Sequence, residues 1–487
     1  MKRIAAALFL ILVVLVLIVT LRAALLKPPA ISVPAFTPIA LDDKGALQRF
    51  IGAIQIPTES QSGGERPNQA VMQKMREYLE QSFPKVHATM QREVLTDGAL
   101  LFTWKGRDTS LKPAILMGHM DVVPVPAEAL PLWKHPPYSG EVAEGFIWGR
   151  GTFDDKIHVL SLLEAAETLI ARGFVPARTI LFAFGDDEEN GGKYGAQNIV
   201  KLLQQRNVQP EFVIDEGGAI VSGMIPGVTQ PVALIGTAEK GYVDVVLSTV
   251  GKGGHSSAPP PHTAIGELSA ALTKLEANQF PASLPATVRS QYDTLAPYLP
   301  FAKRLPLANL WLFQPLIVRL GLQNPLQAGS FRTTTAEDMF NAGFKENALP
   351  PSARAVINFR ILPGETVSSV IDRVRSVVND AGVTVSDANP GSSRNPSPAS
   401  PIDSNGYRTL DTTIHQLFPN VIVIPNLLNA ATDSSYYCVL TPNVYRFLAV
   451  DLDPSALELA HGLNERMAPE KYLKAVQFTA QLIENIH

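Results

Sequence analysis

Four consecutive acidic residues, Asp186 to Glu189, directly follow an apolar run, LFAFG at 181–185. The apolar run has the composition of a buried strand, so the acids lie where that strand ends and the chain turns. Carboxylates this close together repel one another unless a positive group lies among them. Because the chain has a single cysteine, Cys438, histidines and carboxylates would have to hold any metal ion. The acidic run therefore predicts a cation site at the end of a strand.

Strand-like runs alternate with helical stretches over the first half of the chain. The runs are AILMG (114–118), RTILFAFG (178–185) and FVID (212–215), and helical stretches at 159–173 and 196–206 separate them. This alternation predicts an α/β domain built on a mainly parallel sheet that helices cover on both faces. Such sheets bind ligands at the carboxyl ends of their strands, which is where the acidic run lies.

A second region, 240–395, has a different pattern. Two alternating runs, 242–251 and 353–362, are each followed by a helical stretch, which predicts a small inserted α+β domain with a ferredoxin-like arrangement. Residues 45–239 and 396–487 would then form the two parts of the catalytic domain.

Within the second region, residues 280–330 are rich in Pro, Leu, Phe and Trp. Two interpretations stay open at this point. The segment is either a packing pair of helices, or an apolar surface that serves as an acyl-chain pocket or a membrane-facing patch.

The N-terminus is typical of a membrane-targeting segment. Residues 4–21 form an uncharged apolar run of about the ~20 residues that cross a bilayer as a helix. We predict an uncleaved signal anchor over 1–26, with a cleaved signal peptide and a buried core helix as the alternatives. Lys2 and Arg3 favour a cytoplasmic N-terminus, so the body, after a Pro-rich linker at 27–44, would lie outside the cytoplasm, in the periplasm or extracellular space. The body would be secreted if the segment were cleaved.

Candidate metal ligands lie at two further strand ends. His119 and Asp121 are two residues apart after the strand at 114–118, so their side chains point to the same face. A carboxylate beside a metal-binding imidazole fixes its tautomer and orientation. Asp215 and Glu216 end another strand.

Two more candidates lie in turns. Asp154 and Asp155 follow a tight glycine turn, where acids are also common as helix caps. His461 lies near the C-terminus, in a position that a surface histidine could equally occupy. Each of these signals is weak alone, but together they supply the nitrogen and oxygen ligands that suit zinc.

The motifs occur in an order that resembles a known family. They are H-x-D, G-R-G-x-x-D-D-K, D-E-E-x-G-G, D-E-G-G, G-H-S-S and a C-terminal H-G. The chain is similar, from about residue 45 to its end, to the dinuclear zinc amidohydrolases that include aminoacylase, glutamate carboxypeptidase and Gly-Xaa carboxypeptidase. Within that family it most resembles enzymes that act on N-fatty-acyl amino acids.

The resemblance implies two zinc ions per subunit. His119 would bind one ion and His461 the other, Asp154 would bridge them, and Glu189 would bind one of them, with the Asp154–Asp155 peptide cis as in the family. The last ligand would come from D-E-G-G, as either Asp215 or Glu216, with Asp215 preferred. These implied metal ligands are His119, Asp154, Glu189, Asp215 or Glu216, and His461.

The resemblance also implies the catalytic and substrate-binding residues. Glu188 would be the general base for a hydroxide held between the zinc ions, and Asp121 would orient His119. His255 would stabilise the oxyanion from the inserted domain, in some relatives from a partner subunit. Asn347 and Arg360 would bind the substrate and its carboxylate, although Arg360 could also be a surface charge at a strand edge.

These features predict a membrane-anchored or exported zinc hydrolase of N-acyl amino acids, with N-fatty-acyl amino acids preferred and reversal of the reaction possible. A Gly-Xaa carboxypeptidase or dipeptidase is the alternative, and a receptor or scaffold with a peptidase fold is more remote. The resemblance further implies a homodimer formed through the inserted domain, which would act as a lid. A net charge of −4 and a pI near 6.2 argue against a nucleic-acid partner.

Overall fold

A ten-stranded mixed sheet forms the larger part of the molecule in the computed structural model, which describes residues 1–60, 65–95 and 98–487. Its strands are β1 (Gln91–Val94), β2 (Leu100–Trp104), β3 (Ala114–His119), β6 (Ile180–Gly185), β7 (Phe212–Asp215), β8 (Ile220–Val221), β9 (Val232–Glu239), β16 (Ile422–Leu428), β17 (Val444–Arg446) and β18 (Asp451–Leu452). They follow the order β1-β2-β6-β3-β7-β17-β9-β8-β18, and β16 pairs with β9.

The sheet confirms the α/β prediction but is mixed rather than mainly parallel. Strands β6, β3, β7 and β17 run parallel at its centre, whereas β1 with β2, β2 with β6, and β8 with β9 are antiparallel. The connections from β1 to β2 and from β8 to β9 account for two of these pairs, because both are shorter than the crossover of about a dozen residues that parallel neighbours need.

Helices cover both faces of this sheet. They are α2 (Asp43–Ile54), α3 (Gln69–Ser82), α4 (Pro84–Thr89), α5 (Lys156–Ala171), α6 (Ala196–Gln205), α13 (Asn405–Leu417) and α14 (Pro469–Asn485). Alternate residues of one strand reach opposite cores: Phe102 belongs to the apolar cluster under α5 and α14, and Leu101 to the cluster under α6. Burial on both faces fixes the register of these strands, because a shift by one residue would exchange the two sets.

The second region folds into a four-stranded antiparallel sheet with two helices, called here the inserted sheet. Its elements are β10 (Gly241–Val250), α7 (Ala264–Ala277), β12 (Thr334–Ala342), β14 (Ser352–Ile361), α12 (Val367–Val378) and β15 (Val383–Asp387). The chain order βαββαβ and the sheet order β12-β14-β10-β15 are those of a ferredoxin-like unit. A separate apolar cluster holds the helices to the sheet.

Two smaller sheets complete the strands. The pair β11 (Gly254–His255) and β13 (Ala348–Leu349) projects from the inserted sheet, and β4 (Val142–Ala143), β5 (Phe146–Trp148) and β19 (Arg466–Met467) form a three-stranded sheet. The β5–β19 pairing, with Trp148 opposite Arg466, brings the C-terminal segment beside the loop that precedes Asp154.

The Pro- and Leu-rich segment forms a chain of short helices: α8 (Ala286–Leu295), α9 (Phe301–Leu307), α10 (Leu310–Gly321) and α11 (Pro325–Ala328). Helix α8 packs on β16, and part of α10 joins a small core with Phe331 and Leu427. The packing interpretation of the segment is thus partly confirmed.

The N-terminal apolar run is a single helix, α1 (Lys2–Leu25), which lies within the segment 1–26 predicted as the signal anchor. Its 24 residues are about 36 Å long, enough to cross a hydrocarbon layer of about 30 Å. Within α1 only Val19 and Ala23 are buried, and they lie where the helix meets α9. A core helix would be buried far more extensively, so a membrane anchor or a signal sequence fits α1 better.

Candidate active site

The predicted ligands converge because neighbouring parallel strands end side by side. His119 is the last residue of β3 and pairs with Gly185, the last residue of β6, so the acidic run begins beside the imidazole. Asp215 is the last residue of β7, which lies on the other side of β3. The site thus forms at the carboxyl edge of the sheet, as predicted.

Asp154 lies at the centre of the cluster, between the two histidines. Its Oδ1 is 3.1 Å from His119 Nε2, and its Oδ2 is 3.1 Å from His461 Nε2. Glu189 Oε2 lies 3.2 Å from the same nitrogen of His461. The ligand atoms of His119, Asp154 and Glu189 lie within 4.8 Å of one another, and the Asp154–Asp155 peptide is cis. A carboxylate with one oxygen toward each imidazole is placed to bridge two cations.

Asp121 holds both His119 and the acidic turn in position. His119 Nδ1 lies 3.0 Å from the backbone oxygen of Asp121 and 3.4 Å from its Oδ1. The backbone N–H groups of Glu188 and Glu189 donate to the Asp121 carboxylate at 3.1 and 3.2 Å, and Ser60 Oγ donates to it as well. Although burial would raise the pKa of Asp121, its bonds to His119 and these donors hold that pKa below the usual value. The orienting role predicted for Asp121 therefore has a geometric basis.

A second buried carboxylate, Glu465, links the two loops that carry Asp154 and His461. Its Oε1 accepts from the backbone N–H groups of residues 151, 153 and 154 at 3.0, 2.8 and 3.2 Å, and Arg150 Nη1 donates to its Oε2 at 2.7 Å. Arg150 Nη2 also donates to the His461 backbone oxygen at 3.3 Å. Sequence reasoning missed Glu465, although an acid four residues after a candidate ligand in HGLNER was a usable signal.

Asp215 and Glu216 lie in different environments. Glu216 lies in the wall of a cavity of about 360 Å³ together with Asp154, Glu188 and His461. Asp215 is buried, 2% exposed, and its Oδ2 accepts from the Ser434 N–H at 3.0 Å. The structure thus brings Glu216 to the cavity and gives Asp215 a partner behind it.

The first two acids of the run do not line either cavity. Asp187 accepts from the backbone N–H groups of Tyr194 and Gly195, each at 2.7 Å, where α6 begins. Burial raises the pKa of Asp187 to about 6, against these bonds. Asp186 is fully buried, and burial together with Asp187 and Asp121 raises its pKa to about 8.

The electrostatics of the cluster call for added positive charge. Burial and the neighbouring Glu189 and Asp154 raise the pKa of Glu188 well above its usual value, and burial with Asp154 and Asp155 does the same for Glu216. Hydrogen bonds to Asp154 and Glu189 raise the pKa of His461 to about 10. Glu189 Oε1 and Asp155 Oδ1 are buried without a hydrogen-bond partner. Oxygen and imidazole donors with unpaired acceptors fit divalent cations such as zinc.

Two cavities meet at Glu188 and His461 and differ in their walls. The larger, of about 810 Å³, is lined on one side by Tyr242, Arg360 and Arg394. The smaller is lined by apolar residues that include Phe153, Ala219, Leu448 and Leu452. The cluster therefore lies between a cationic wall and an apolar wall.

Arg394 is the cation that the sequence analysis missed. Its Nε and Nη1 are buried without a hydrogen-bond partner, and Glu188 is among the charges that raise its pKa against the effect of burial. Arg360 stacks over the Tyr242 ring at 4.8 Å, on β14, which pairs with a strand on each side. Arg360 is therefore not at a strand edge, and it lines the cavity.

His255 and Asn347 lie together but on an exposed surface. His255 pairs with Ala348 across β11 and β13, and the Ser256 N–H donates to the Asn347 backbone oxygen at 3.3 Å. His255 Nδ1 lies 2.8 Å from Ser257 Oγ. The described walls of the two cavities include neither residue, so their predicted roles in the site stay predictions.

Comparisons with known proteins agree with this geometry. The model of peptidase family M20/M25/M40 matches residues 115–485. The N-fatty-acyl-amino acid synthase/hydrolase of Homo sapiens is 42% identical over 440 residues, which cover 89% of this chain and 86% of that protein. Carboxypeptidase S of Saccharomyces cerevisiae is 32% identical over 501 residues, covering 91% and 84% of the two chains.

Solved structures show the same fold at low identity. A metallo-carboxypeptidase of the M20 family from Sulfolobus solfataricus aligns with a TM-score of 0.67 at 16% identity, over 91% of this chain and 99% of that one. Human carnosine dipeptidase 1 aligns with a TM-score of 0.61 at 15% identity, over 91% and 96%.

Proposed function

The chain belongs to peptidase family M20/M25/M40 and is a metal-dependent hydrolase, and from that premise we propose that it hydrolyses the amide bond of N-acyl amino acids, foremost those with a fatty-acyl chain. The observation that carries the proposal is the position of the cluster, with a cationic wall on one side and an apolar wall on the other. An N-acyl amino acid has a carboxylate at one end, an apolar chain at the other, and the amide between them.

We propose two zinc ions. One would be held by His119, Asp154 and Glu216, and the other by His461, Asp154 and Glu189. The two histidines on opposite oxygens of Asp154 support a shared carboxylate. Glu216 is preferred to Asp215 because it lines the cavity, whereas Asp215 accepts a hydrogen bond from Ser434 behind it. When bound, zinc supplies a water of lowered pKa and polarises a carbonyl oxygen.

Glu188 is the proposed general base. It lines both cavities, and the bond from its backbone N–H to Asp121 fixes the turn that carries it. Its carboxylate would take a proton from the attacking water and pass it to the leaving amine, a contribution of typically about 10² to 10⁴-fold.

Arg394 and Arg360 are the proposed partners of the substrate carboxylate. Arg394 offers two buried N–H groups without a partner, and a guanidinium can bind a carboxylate through two parallel bonds. Both N-acyl amino acids and C-terminal peptides carry this carboxylate, so these residues do not separate the two substrate classes. The apolar cavity favours the acyl chain, and the carboxypeptidase relatives support peptides as the alternative.

His255 and Asn347 would act from a partner subunit or after closure of the inserted sheet as a lid. Their exposure outside the cavity supports either route. A homodimer would form through β12, an edge strand whose residues from Ala336 to Ala342 are exposed. We further propose that α1 anchors the protein with its body outside the cytoplasm.

Hydrolysis of a series of N-acyl phenylalanines, from acetyl to oleoyl, by the zinc-loaded full-length protein tests the function. We expect the rate to rise with chain length and to fall at least about 10²-fold in Glu188→Gln. Asp187→Asn is the matched control, because that neighbouring acid accepts hydrogen bonds from the Tyr194 and Gly195 N–H groups and lines neither cavity. Faster cleavage of Gly-Xaa dipeptides than of any acyl amino acid would establish the alternative.

A further inference from the structure

The outward face of α10 is apolar. Its exposed residues recur at helical spacing and are mostly large hydrophobics: Trp311 is 55% exposed, Leu312 38%, Leu316 46% and Leu320 55%. The opposite side of the helix, with Leu310, belongs to the core. A surface helix in water carries polar residues on its outward face, so α10 is unsuited to contact water there.

The membrane-spanning candidate α1 lies beside α9 and the start of α10. Asn309, which precedes α10, donates its side-chain N–H to the Val19 backbone oxygen at 2.9 Å, and Arg304 of α9 donates to the Leu26 oxygen at 3.1 Å. Val19 precedes the end of α1 at Leu25 by six residues, a rise of about 9 Å. Because the apolar run of α1 continues past Val19, the start of α10 lies level with the last apolar turns of α1.

The exposed charges in the sequence around α10 are basic. From residue 294 to residue 336 the sequence has no Asp or Glu, and the exposed charged residues of this stretch are Lys303 and Arg319. Basic residues beside an apolar face suit the phosphate groups of a bilayer surface, and tryptophan is enriched at that depth. A two-fold contact with a second copy of this chain would instead bring the basic residues of both copies together without acids to pair them.

We propose that the outward face of α10, with Phe301 of α9, is seated in the interfacial layer of the phospholipid bilayer that α1 crosses. The body is then held to the membrane by two elements, a spanning helix and a helix that lies in the surface.

This seating also places the active site close to the lipid. The inner side of α10 packs in the same small core as Leu427 of β16. Gly329, just after α11, lies beside Asn429, which lines the larger cavity. A Cβ atom built on Gly329 would be 3.6 Å from Oδ1 of Asn429. If the proposed fatty-acyl substrate is correct, it reaches the site from the bilayer; the seating of α10 itself does not depend on that function.

Native tryptophan fluorescence tests the seating, because Trp311 is the one exposed tryptophan of the four. Trp104, Trp133 and Trp148 are 2%, 7% and 4% exposed. The full-length protein would be reconstituted in phosphatidylcholine and phosphatidylglycerol vesicles, with bromine on the acyl chains of part of the lipid. We expect brominated lipid to quench a component of the emission that is missing in Trp311→Phe, and acrylamide to quench that component weakly.

Two results would overturn the proposal. If acrylamide quenches the Trp311 component and brominated lipid does not, the face is in water. If neither quenches it, protein covers the face, as in a dimer of this chain.

A paired substitution separates the face from the anchor. Leu316→Asp with Leu320→Asp keeps α1 intact, and we expect it to lower quenching of Trp311 by brominated lipid at least twofold and to raise quenching by acrylamide. Phe344→Asp, at an apolar residue that is 75% exposed in the turn between β12 and β13, is the matched control and leaves both unchanged. Unchanged quenching in the paired variant would mean that α1 alone sets the depth of Trp311, contrary to the proposal.

Discussion

The cluster of candidate metal ligands and the outward face of α10 are both exceptions to the rule that apolar residues lie inside and charged residues outside. In the cluster, buried carboxylates lie beside two histidines, and other buried residues hold them in place. Asp121 accepts hydrogen bonds from the acidic turn, and Glu465 links the loops that carry Asp154 and His461. On α10 the exposed leucines have no covering partner within the described chain. The two regions differ in what they reveal about their partner. The nitrogen and oxygen atoms of the cluster indicate that a cation binds there, whereas an apolar face indicates only that water is a poor partner.

Removal of the shared carboxylate should have the largest effect. In Asp154→Asn one oxygen becomes an NH₂ group, so the side chain can no longer face both histidines as an acceptor. We expect the bound zinc to fall from two ions to one or none, and the hydrolysis rate to fall about 10³-fold or more, since the ions supply several kcal/mol of transition-state stabilisation. Metal content by atomic emission and the acyl-phenylalanine assay measure the two effects.

Asp411→Asn is the control for that substitution. Asp411 forms an aspartate–histidine pair with His415 at 3.4 Å on α13, outside the cluster. The variant should keep both ions and full activity. Two zinc ions in Asp154→Asn would contradict the bridging role.

Glu465→Gln tests whether the hydrogen bonds that link the loops of Asp154 and His461 are needed for stability and for zinc binding. The substitution leaves Arg150 buried without its counter-charge and replaces one acceptor of the Glu465 network by a donor. Breaking a buried pair from one side typically costs about 3–5 kcal/mol of unfolding free energy. Urea unfolding of the zinc-loaded protein measures this cost, and zinc affinity should fall because the loops of Asp154 and His461 separate. Glu470→Gln, on the exposed first turn of α14, should change neither quantity; equal stability of the two variants would rule out the joining role.

The strands of the main sheet, and the meeting of the candidate ligands at one edge of it, were predictable because both depend on local patterns. Apolar runs such as LFAFG define strands, and because parallel strands end together, acids and histidines far apart in the chain could be placed in one site. Local patterns also indicated β10, α7, β14 and α12 of the inserted sheet, but they did not indicate β12 or β15.

Contacts across the chain were not predictable. Arg394 lies in an irregular segment after β15, and only the fold shows that it faces Glu188. The choice between Asp215 and Glu216 depends on which of the two side chains points into the cavity. The position of the two residues in the sequence does not determine this. The sequence analysis also left the segment at 280–330 open, because an apolar helix has the same composition whether it packs in a core or lies at a surface.

Asp186→Asn tests whether the buried carboxyl group of Asp186, which lines neither cavity, lowers the stability of the protein. Burial raises the pKa of Asp186 to about 8, above its value in the unfolded chain. The folded state therefore binds a proton that the unfolded state releases, and the wild type loses stability as the pH rises from about 4 to about 8. The amide removes that loss, so the variant should be more stable by about 1 kcal/mol or more near pH 8 and nearly equal at pH 4. Thermal unfolding across this pH range measures the difference, and a variant that is less stable at pH 8 would show that Asp186 is needed as a carboxylate.

The smallest effect belongs to the outward face of α10. Leu316 is 46% exposed, so Leu316→Ser removes little buried surface, and the unfolding free energy in detergent should change by no more than about 0.5 kcal/mol. Leu310, on the inner side of the same helix and 4% exposed, is the matched comparison: Leu310→Ala should cost about 2–5 kcal/mol because it leaves a cavity in the core. Denaturant unfolding of both variants in the same detergent gives the two values. A cost for Leu316→Ser as large as that for Leu310→Ala would mean that the outward face is packed against other parts of the chain and contributes to the stability of the fold, contrary to its proposed contact with lipid.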